Sequence, residues 1–297
     1  FDEDALRIFR AIRFGAQLGF SIDEETKAAI KTHAENLKKV SAERIQVELV
    51  KLLVSPNPMA FRQLYETGIT SIFMPEFDVC METPQNTPHH CYSVGEHILH
   101  AMPIVPPDKV LRLTMLFHDM GKPLVHRVDS KGTDHFKGHG EKSAELAKKI
   151  MKRLKFDNDT TNKVVKLVRY HDLRPTPASA DVRRCIHTIG KDLFTDYLTV
   201  QFADNWAKSN FMRESKLSRI EGVNQEYIKI LGRRDPLSLK ELAIGGSDLL
   251  KMGIKGREVG DILESSLMMV LEDPALNDKE ILLAYADNYH KQRSREA

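Results

Sequence analysis

Histidine and aspartate recur along this chain in settings that suit a buried cation: His97, His118, Asp119, His171 and Asp204, with His139 as a sixth candidate. The densest piece is LFHDMGK, Leu116 to Lys122. There a histidine and an aspartate close an apolar run and offer one nitrogen and one carboxylate to the same ion. Imidazole suits transition metals, and carboxylate also suits magnesium and manganese. The remaining ligands come from separate segments. SVGEHILHA supplies His97, FKGHGEKSA supplies His139, VRYHD supplies His171 and QFADNWAKS supplies Asp204. A divalent metal held in this way would activate water for attack on a phosphoester. By chemistry, His97, His118, Asp119 and Asp204 make the primary shell. His139 and His171 are open to a second metal or to substrate. His118, Asp119 and Lys122 are the candidates for catalysis, with Lys122 one turn beyond His118 and placed to neutralise a phosphate oxygen. Isolated histidines on helical segments (His33, His100, His126 and His290) are read as ordinary core or surface residues.

The order H…HD…H…H…D, running from Ser93 to Ser209, resembles the HD phosphohydrolase superfamily. The likeness rests on the order of the residues and on their helical settings, since a lone His-Asp pair is common by chance.

The elements that must position these groups are helical nearly throughout. Leu6, Phe9, Ile12 and Ala16 recur at helical spacing. So do Ile45, Leu49 and Leu52, then Ala144, Ala147, Ile150, Met151 and Leu154, and later Val164, Val165 and Val168. Ser21 with Glu24 reads as a capping box, and Ser41 as a cap for the helix that follows it. Alternating β-branched runs are nearly absent, so strands are expected only in a hairpin near Val125 to Phe136. At 297 residues the chain is long enough for two or three subdomains. Its net charge of +2 gives no basic excess that would by itself indicate a nucleic-acid partner. Three widely spaced cysteines without a CxxC argue against a disulfide framework and for a reducing, cytoplasmic setting. No apolar run approaches the length of a membrane span, and no membrane partner is expected.

The opening segment carries a second signal. Arg7, Arg10 and Arg13 follow one another at intervals of three and drift slowly around a helix, beside an apolar face of Leu6, Phe9 and Ile12. From spacing alone they are a basic stripe or an ordinary solvated face. The longer stretch FDEDALRIFRAIRFGAQLGFSIDEET resembles the neck of class II tRNA nucleotidyltransferases, the CCA-adding enzymes, and of their poly(A) polymerase relatives. The family's EDxxR stands here as Glu3, Asp4, Ala5, Leu6 and Arg7. The resemblance implies that Glu3, Asp4, Arg7 and Arg10 bind the incoming nucleotide, with Asp4 and Arg7 reading the base edge of CTP or ATP. SAERIQVELVKLL, Ser41 to Leu53, is similar to the following neck helix, and ITSIFMPEF to the body region. ELAIGGSDLLKMGIKGREVGDILESSLMMVLEDPALNDKEILL resembles the C-terminal region that contacts tRNA. Lys255 and Arg257 there stand among Gly253, Gly256 and Gly260, near a predicted helix start at Arg257, where backbone can approach RNA phosphate. A second basic cluster runs along Lys148, Lys149, Lys152, Arg153 and Lys155.

Family members carry a nucleotidyltransferase head before this point, with a Gly-Ser strand and paired aspartates that hold magnesium. That constellation is missing between Phe1 and Ala297, so polymerisation is not expected from this stretch alone. The expected fold is all-α. It comprises a multi-helix neck (1–55), a body linker (56–92), an HD metal phosphohydrolase domain (93–215) and a C-terminal helical tRNA-binding region (216–297). The implied function is that of a tRNA nucleotidyltransferase fragment whose HD domain has phosphatase or 2′,3′-cyclic phosphodiesterase activity. Its implied partners are tRNA, CTP and ATP. A free-standing HD enzyme acting on small nucleotides would not need the EDxxR neck. An RNA-binding body with a purely structural HD site would not take up metal.

Overall fold

The computed structural model describes residues 4–296. In chain order the helices are α1 (Leu6–Leu18), α2 (Glu24–His33), α3 (Ala42–Leu53), α4 (Phe61–Glu66), α5 (Thr70–Phe73), α6 (Pro75–Glu82), α7 (Val94–Ala101), α8 (Lys109–Phe117) and α9 (Lys122–Val125). An antiparallel hairpin of β1 (Arg127–Val128) and β2 (Asp134–His135) follows, pairing Arg127 with His135. The rest is α10 (His139–Arg153), α11 (Asn158–Tyr170), α12 (Ser179–Ile189), α13 (Phe194–Trp206), α14 (Arg213–Arg233), α15 (Gly246–Lys251), α16 (Arg257–Glu272) and α17 (Lys279–Glu296). The fold is all-α with the expected hairpin as its only sheet among the described residues. None of the described helices is long and apolar enough to cross a membrane.

The chain forms two compact units. One comprises Phe1–Leu173 with Thr195–Leu217, the other Arg174–Phe194 with Ser218–Ala297. The first is built on a continuous core. Ile8, Phe9 and Ile12 of α1, Leu49 and Leu52 of α3, Phe77 of α6, Leu113 and Leu116 of α8, and Ala147 and Ile150 of α10 are all buried in it. The expected apolar faces of α1, α3 and α10 therefore point inward, which is where their 3.6-residue period sends them. In the second unit Leu249, Ile254, Ile262, Val270 and Leu282 form a separate core.

Several local expectations change. Helix α2 starts at Glu24 and is capped by Asp23, whose carboxylate accepts from the Thr26 amide at 2.9 Å. Ser21 lies too far upstream to act as the cap. Ser41 occupies the position before α3 in extended backbone, but its side chain makes no cap hydrogen bond. The arginine series on α1 is split between solvent and core, with Arg7 exposed. Arg13 is buried, and its Nε donates to Glu48 Oε2 at 2.7 Å, while Arg10 Nε donates to Glu48 Oε1 at 3.2 Å. One buried carboxylate on α3 thus fixes two turns of α1.

Candidate metal centre

Each candidate ligand is placed by a short stretch of local chemistry. Helix α7 opens at Ser93, whose hydroxyl accepts from the Glu96 amide, and its buried face carries His97. Helix α8 is capped by Asp108, which accepts from the amides of Val110 and Leu111. It runs as a buried apolar segment to Phe117, so His118 and Asp119 emerge inside the core. Helix α11 ends at Tyr170 and delivers His171. The carbonyl of His171 accepts from the Gln201 amide, and that of Leu173 accepts from Gln201 and from the Tyr197 hydroxyl. Those two residues lie on α13, which also carries Asp204, so the ligands of α11 and α13 are tied together.

Two glycines set how closely the ligand-bearing segments approach. A Cβ at Gly121 would lie 2.3 Å from the Ser143 amide nitrogen and 2.7 Å from the His139 carbonyl oxygen. A Cβ at Gly140 would lie 2.8 Å from the Arg169 carbonyl oxygen. Glycine at these positions lets α10 press against both the HD turn and α11. That brings His139 to Asp119 and to His171.

The result is two ligand groups sharing one carboxylate. His97, His118, Asp119 and Asp204 present ligand atoms within 4.8 Å of one another, and so do Asp119, His139 and His171. In the first group His97 Nε2 stands 3.2 Å from His118 Nε2 and 3.0 Å from Asp204 Oδ1. Asp119 Oδ2 lies 3.5 Å from His97 Nε2 and 3.4 Å from His118 Nε2. In the second group Asp119 Oδ1 lies 3.3 Å from His139 Nε2 and 3.5 Å from His171 Nε2. The two oxygens of Asp119 therefore face different histidine pairs.

The tautomers follow from the outer contacts. His118 Nδ1 lies 2.7 Å from the Met115 carbonyl, His139 Nδ1 2.9 Å from the Phe136 carbonyl, and His171 Nδ1 2.7 Å from the Val168 carbonyl. A carbonyl only accepts, so each Nδ1 carries a proton and each ring turns its Nε2 into the cluster. His97 differs, because its Nδ1 is buried without a hydrogen-bond partner.

Electrostatics support the same picture. Burial pushes the Asp119 carboxyl upward, but Lys122 and the neighbouring histidines outweigh it and hold it well below the usual carboxylate range. Asp204 is treated likewise, with Lys208 as the main opposing charge. Lys122 Nζ is 2.6 Å from Asp119 Oδ2, and Lys208 Nζ is 2.5 Å from Asp204 Oδ2. Burial lowers His97 and His139, each to about 4. Burial also disfavours charged His171, but its hydrogen bond to Asp119 reverses the sign and raises it. Two carboxylates and two lysines balance, so an added divalent ion would leave a net positive centre. That charge suits an anionic phosphate.

The residues present fit a cation. Asp119 Oδ2 is buried between His97 Nε2 and His118 Nε2, at 3.5 and 3.4 Å, with the Lys122 ammonium 2.6 Å away. Imidazole Nε2 atoms face one another at little more than 3 Å, His97 against His118 and His139 against His171. Between unprotonated nitrogens such contacts are costly without a positive charge between the ligands.

Other expected residues lie elsewhere or in different contacts. Lys122 is buried, and besides its ion pair with Asp119 it donates to Gln85 Oε1 at 2.6 Å. Glu3 lies outside the described residues. Asp4 accepts from the Leu6 amide and from Arg44 Nη2, both at 3.2 Å, and Arg10 Nη1 is 3.6 Å from it. Arg7 is exposed on α1. Lys255 and Arg257 are exposed at the start of α16, behind Gly253 and Gly256, which adopt positive φ. Three neighbours of the cluster carry no sequence signal used above: Lys208, Gln85 and His90. The His90 ring packs edge-on against His97, and burial with Lys122 pushes its pKa down to about 2. Lys208 sits four residues after Asp204 on a helical path, a spacing that does pair side chains.

Three family profiles match along the chain. One is the probable RNA- and SrmB-binding site of polymerase A (residues 19–81), another the HD domain (88–186) and the third tRNA nucleotidyltransferase domain 2 (140–286). A CC-adding tRNA nucleotidyltransferase of Thermus thermophilus is 31% identical over 284 residues, covering 89% of this chain and 62% of that protein. An A-adding tRNA nucleotidyltransferase of Deinococcus radiodurans is 29% identical over 275 residues, covering 88% of this chain and 63% of the relative. The chain thus spans a little under two thirds of the length of these curated relatives. Among solved structures, the Bacillus stearothermophilus CCA-adding enzyme in complex with CTP superposes with a TM-score of 0.66 at 20% identity, covering 100% of this chain and 64% of that one. At that identity the likeness concerns the fold.

Proposed function

We infer that this chain, which belongs to the tRNA nucleotidyltransferase family, is the base-selecting, phosphohydrolase and RNA-holding part of an enzyme that extends tRNA 3′ ends with C or A. The division of labour proposed is a neck over 1–55, a linker over 56–92, an HD phosphohydrolase over 93–215 and a tRNA-holding region over 216–297. In the neck, Arg44 and the α1 backbone hold the Asp4 carboxylate beside exposed Arg7. A carboxylate accepts from an exocyclic amine and an arginine donates to ring nitrogen or carbonyl, which is the pair of contacts a base edge offers.

The HD cluster is proposed as a metal-dependent phosphoesterase site. The observation that carries this is the convergence of four imidazoles and two ionised carboxylates, with the two oxygens of Asp119 facing different histidine pairs. His97, His118, Asp119 and Asp204 would hold one divalent cation, and Asp119, His139 and His171 a second. Such ions supply Lewis-acid activation of water and of the phosphoryl oxygen. The chain's own residues do the positioning. The Met115, Phe136 and Val168 carbonyls lock three imidazoles in the ligating tautomer. Lys122 and Lys208 keep both carboxylates ionised in a buried site. Gln85 holds Lys122 on Asp119, and Gln85 is itself placed by the loop whose Asn86 amide donates to Asp134 Oδ2 at 2.6 Å.

The test is hydrolysis of 2′,3′-cyclic AMP by the chain after dialysis against magnesium, manganese or a transition metal, and again after chelation. Metal-dependent hydrolysis that chelation abolishes is expected. Absence of hydrolysis with every ion would overturn the assignment.

A further inference from the structure

A cleft of about 510 Å³ opens beside the cluster, lined among others by Tyr92, His100, Trp206, Lys208, Asn210 and Arg213. Its walls continue the helical paths that carry the ligands. His100 follows His97 by three residues on α7, and Lys208 follows Asp204 by four. Residues so spaced stand about 5–6 Å apart on one face, so the cleft begins one helical turn from the ligands. Lys208 belongs to both places, since it lines the cleft and bonds Asp204.

The lining is aromatic and cationic. Tyr92 stacks on His100 with ring centroids 4.2 Å apart and planes 13° apart. Trp206 is 47% exposed and stacks on Phe202, with centroids 5.6 Å apart. The Arg213 guanidinium carbon lies 5.3 Å from the Trp206 ring centroid, and its Nε is buried without a hydrogen-bond partner. Asn210 brings an amide, which both donates and accepts. Among the described residues that line the cleft, none is acidic.

An aromatic slot of nucleotide size, with cations and one amide beside a phosphoesterase centre, matches a nucleobase next to its own phosphate. We propose that this cleft is the base-binding subsite of the HD centre, with the base of a terminal nucleotide stacking on Trp206 while its phosphoester reaches the cluster. The proposal rests on the phosphoesterase reading above. A protein partner covering the same aromatics would need no adjoining ligand cluster.

Trp206 is the single tryptophan of the chain, so its fluorescence reports the cleft without interference. Titration of the chain with 3′-AMP is expected to quench that emission saturably, whereas ribose 5-phosphate and inorganic phosphate leave it unchanged. Equal quenching by all three, or none by 3′-AMP, overturns the proposal. A protein-docking face would give the latter result. In parallel, Trp206→Ala is expected to raise KM for 2′,3′-cyclic AMP about tenfold. It should leave hydrolysis of ribose 2′,3′-cyclic phosphate unchanged, and Trp206→Phe should retain most of the affinity. Loss on both substrates would contradict a base-specific role. Quenching by 3′-AMP in a chain that hydrolyses neither ester would uphold the base site and reject the phosphoesterase reading. Hydrolysis without quenching would do the reverse.

Discussion

His139 and His171 face each other with their Nε2 atoms 3.1 Å apart, and each ring has its Nδ1 proton committed to a backbone carbonyl. Two lone pairs at that distance repel unless a positive charge lies between them. The Oδ1 atom of Asp119 completes the triangle, while its Oδ2 faces the other histidine pair. This arrangement underlies the proposal that one carboxylate serves two cation positions.

The first prediction follows directly. His139→Ala removes a ligand from one group only, so metal content measured after equilibrium dialysis should fall from about two equivalents toward one. Stoichiometry unchanged from wild type would instead make His139 and His171 substrate contacts.

The neck makes a prediction about stability. Glu48 is buried and is the partner of both Arg13 and Arg10. Glu48→Ala leaves the Arg13 guanidinium buried with only Gln17 Oε1 and the face of Phe14 for company. The expected loss is about 3 kcal/mol in urea unfolding, since stranding one member of a buried pair is costly. A loss below about 1 kcal/mol would show that water reaches Arg13 in solution.

These elements also show what the sequence makes legible. The histidine and aspartate cluster is readable because its residue types are rare on apolar helices and their order is constrained. The apolar faces of α1, α3 and α10 were readable from their period. Burial of Arg13 was not. Spacing places it beside Arg7 and Arg10, but its partner lies 35 residues away on another helix. Gln85 sits in the proline-containing stretch before α7, where there is no period to read. Its position comes from the long-range bond between Asn86 and Asp134 and from the Tyr92 carbonyl, to which Gln85 Nε2 donates at 3.2 Å. His100 read as an ordinary histidine, and its place in the cleft emerges only once His97 fixes the orientation of α7. The cap of α2 was misplaced because Ser21 and Glu24 mimic the box spacing while Asp23 makes the actual bond.

Base selection provides the next test. If Arg7 reads the base edge as proposed, Arg7→Ala in the full-length enzyme should relax discrimination against UTP and GTP. Binding of tRNA should stay near wild type. Selectivity at the wild-type level would reduce α1 to a structural neck.

The C-terminal region is expected to hold RNA by its phosphates. Lys255→Ala combined with Arg257→Ala should weaken tRNA binding and reduce the slope of log affinity against log salt by about one to two. HD hydrolysis of a small phosphoester should not change. Unaltered affinity would move the RNA surface elsewhere, with the basic residues of α10 as the next place to look.

The central claim is that Asp119 organises a metal centre. Its most direct test is the metal content of purified Asp119→Ala beside wild type, after dialysis against the same divalent ion. Because Asp119 serves both ligand groups, the variant should retain no stoichiometric metal while wild type retains it. Equal metal content in the two proteins would contradict the account.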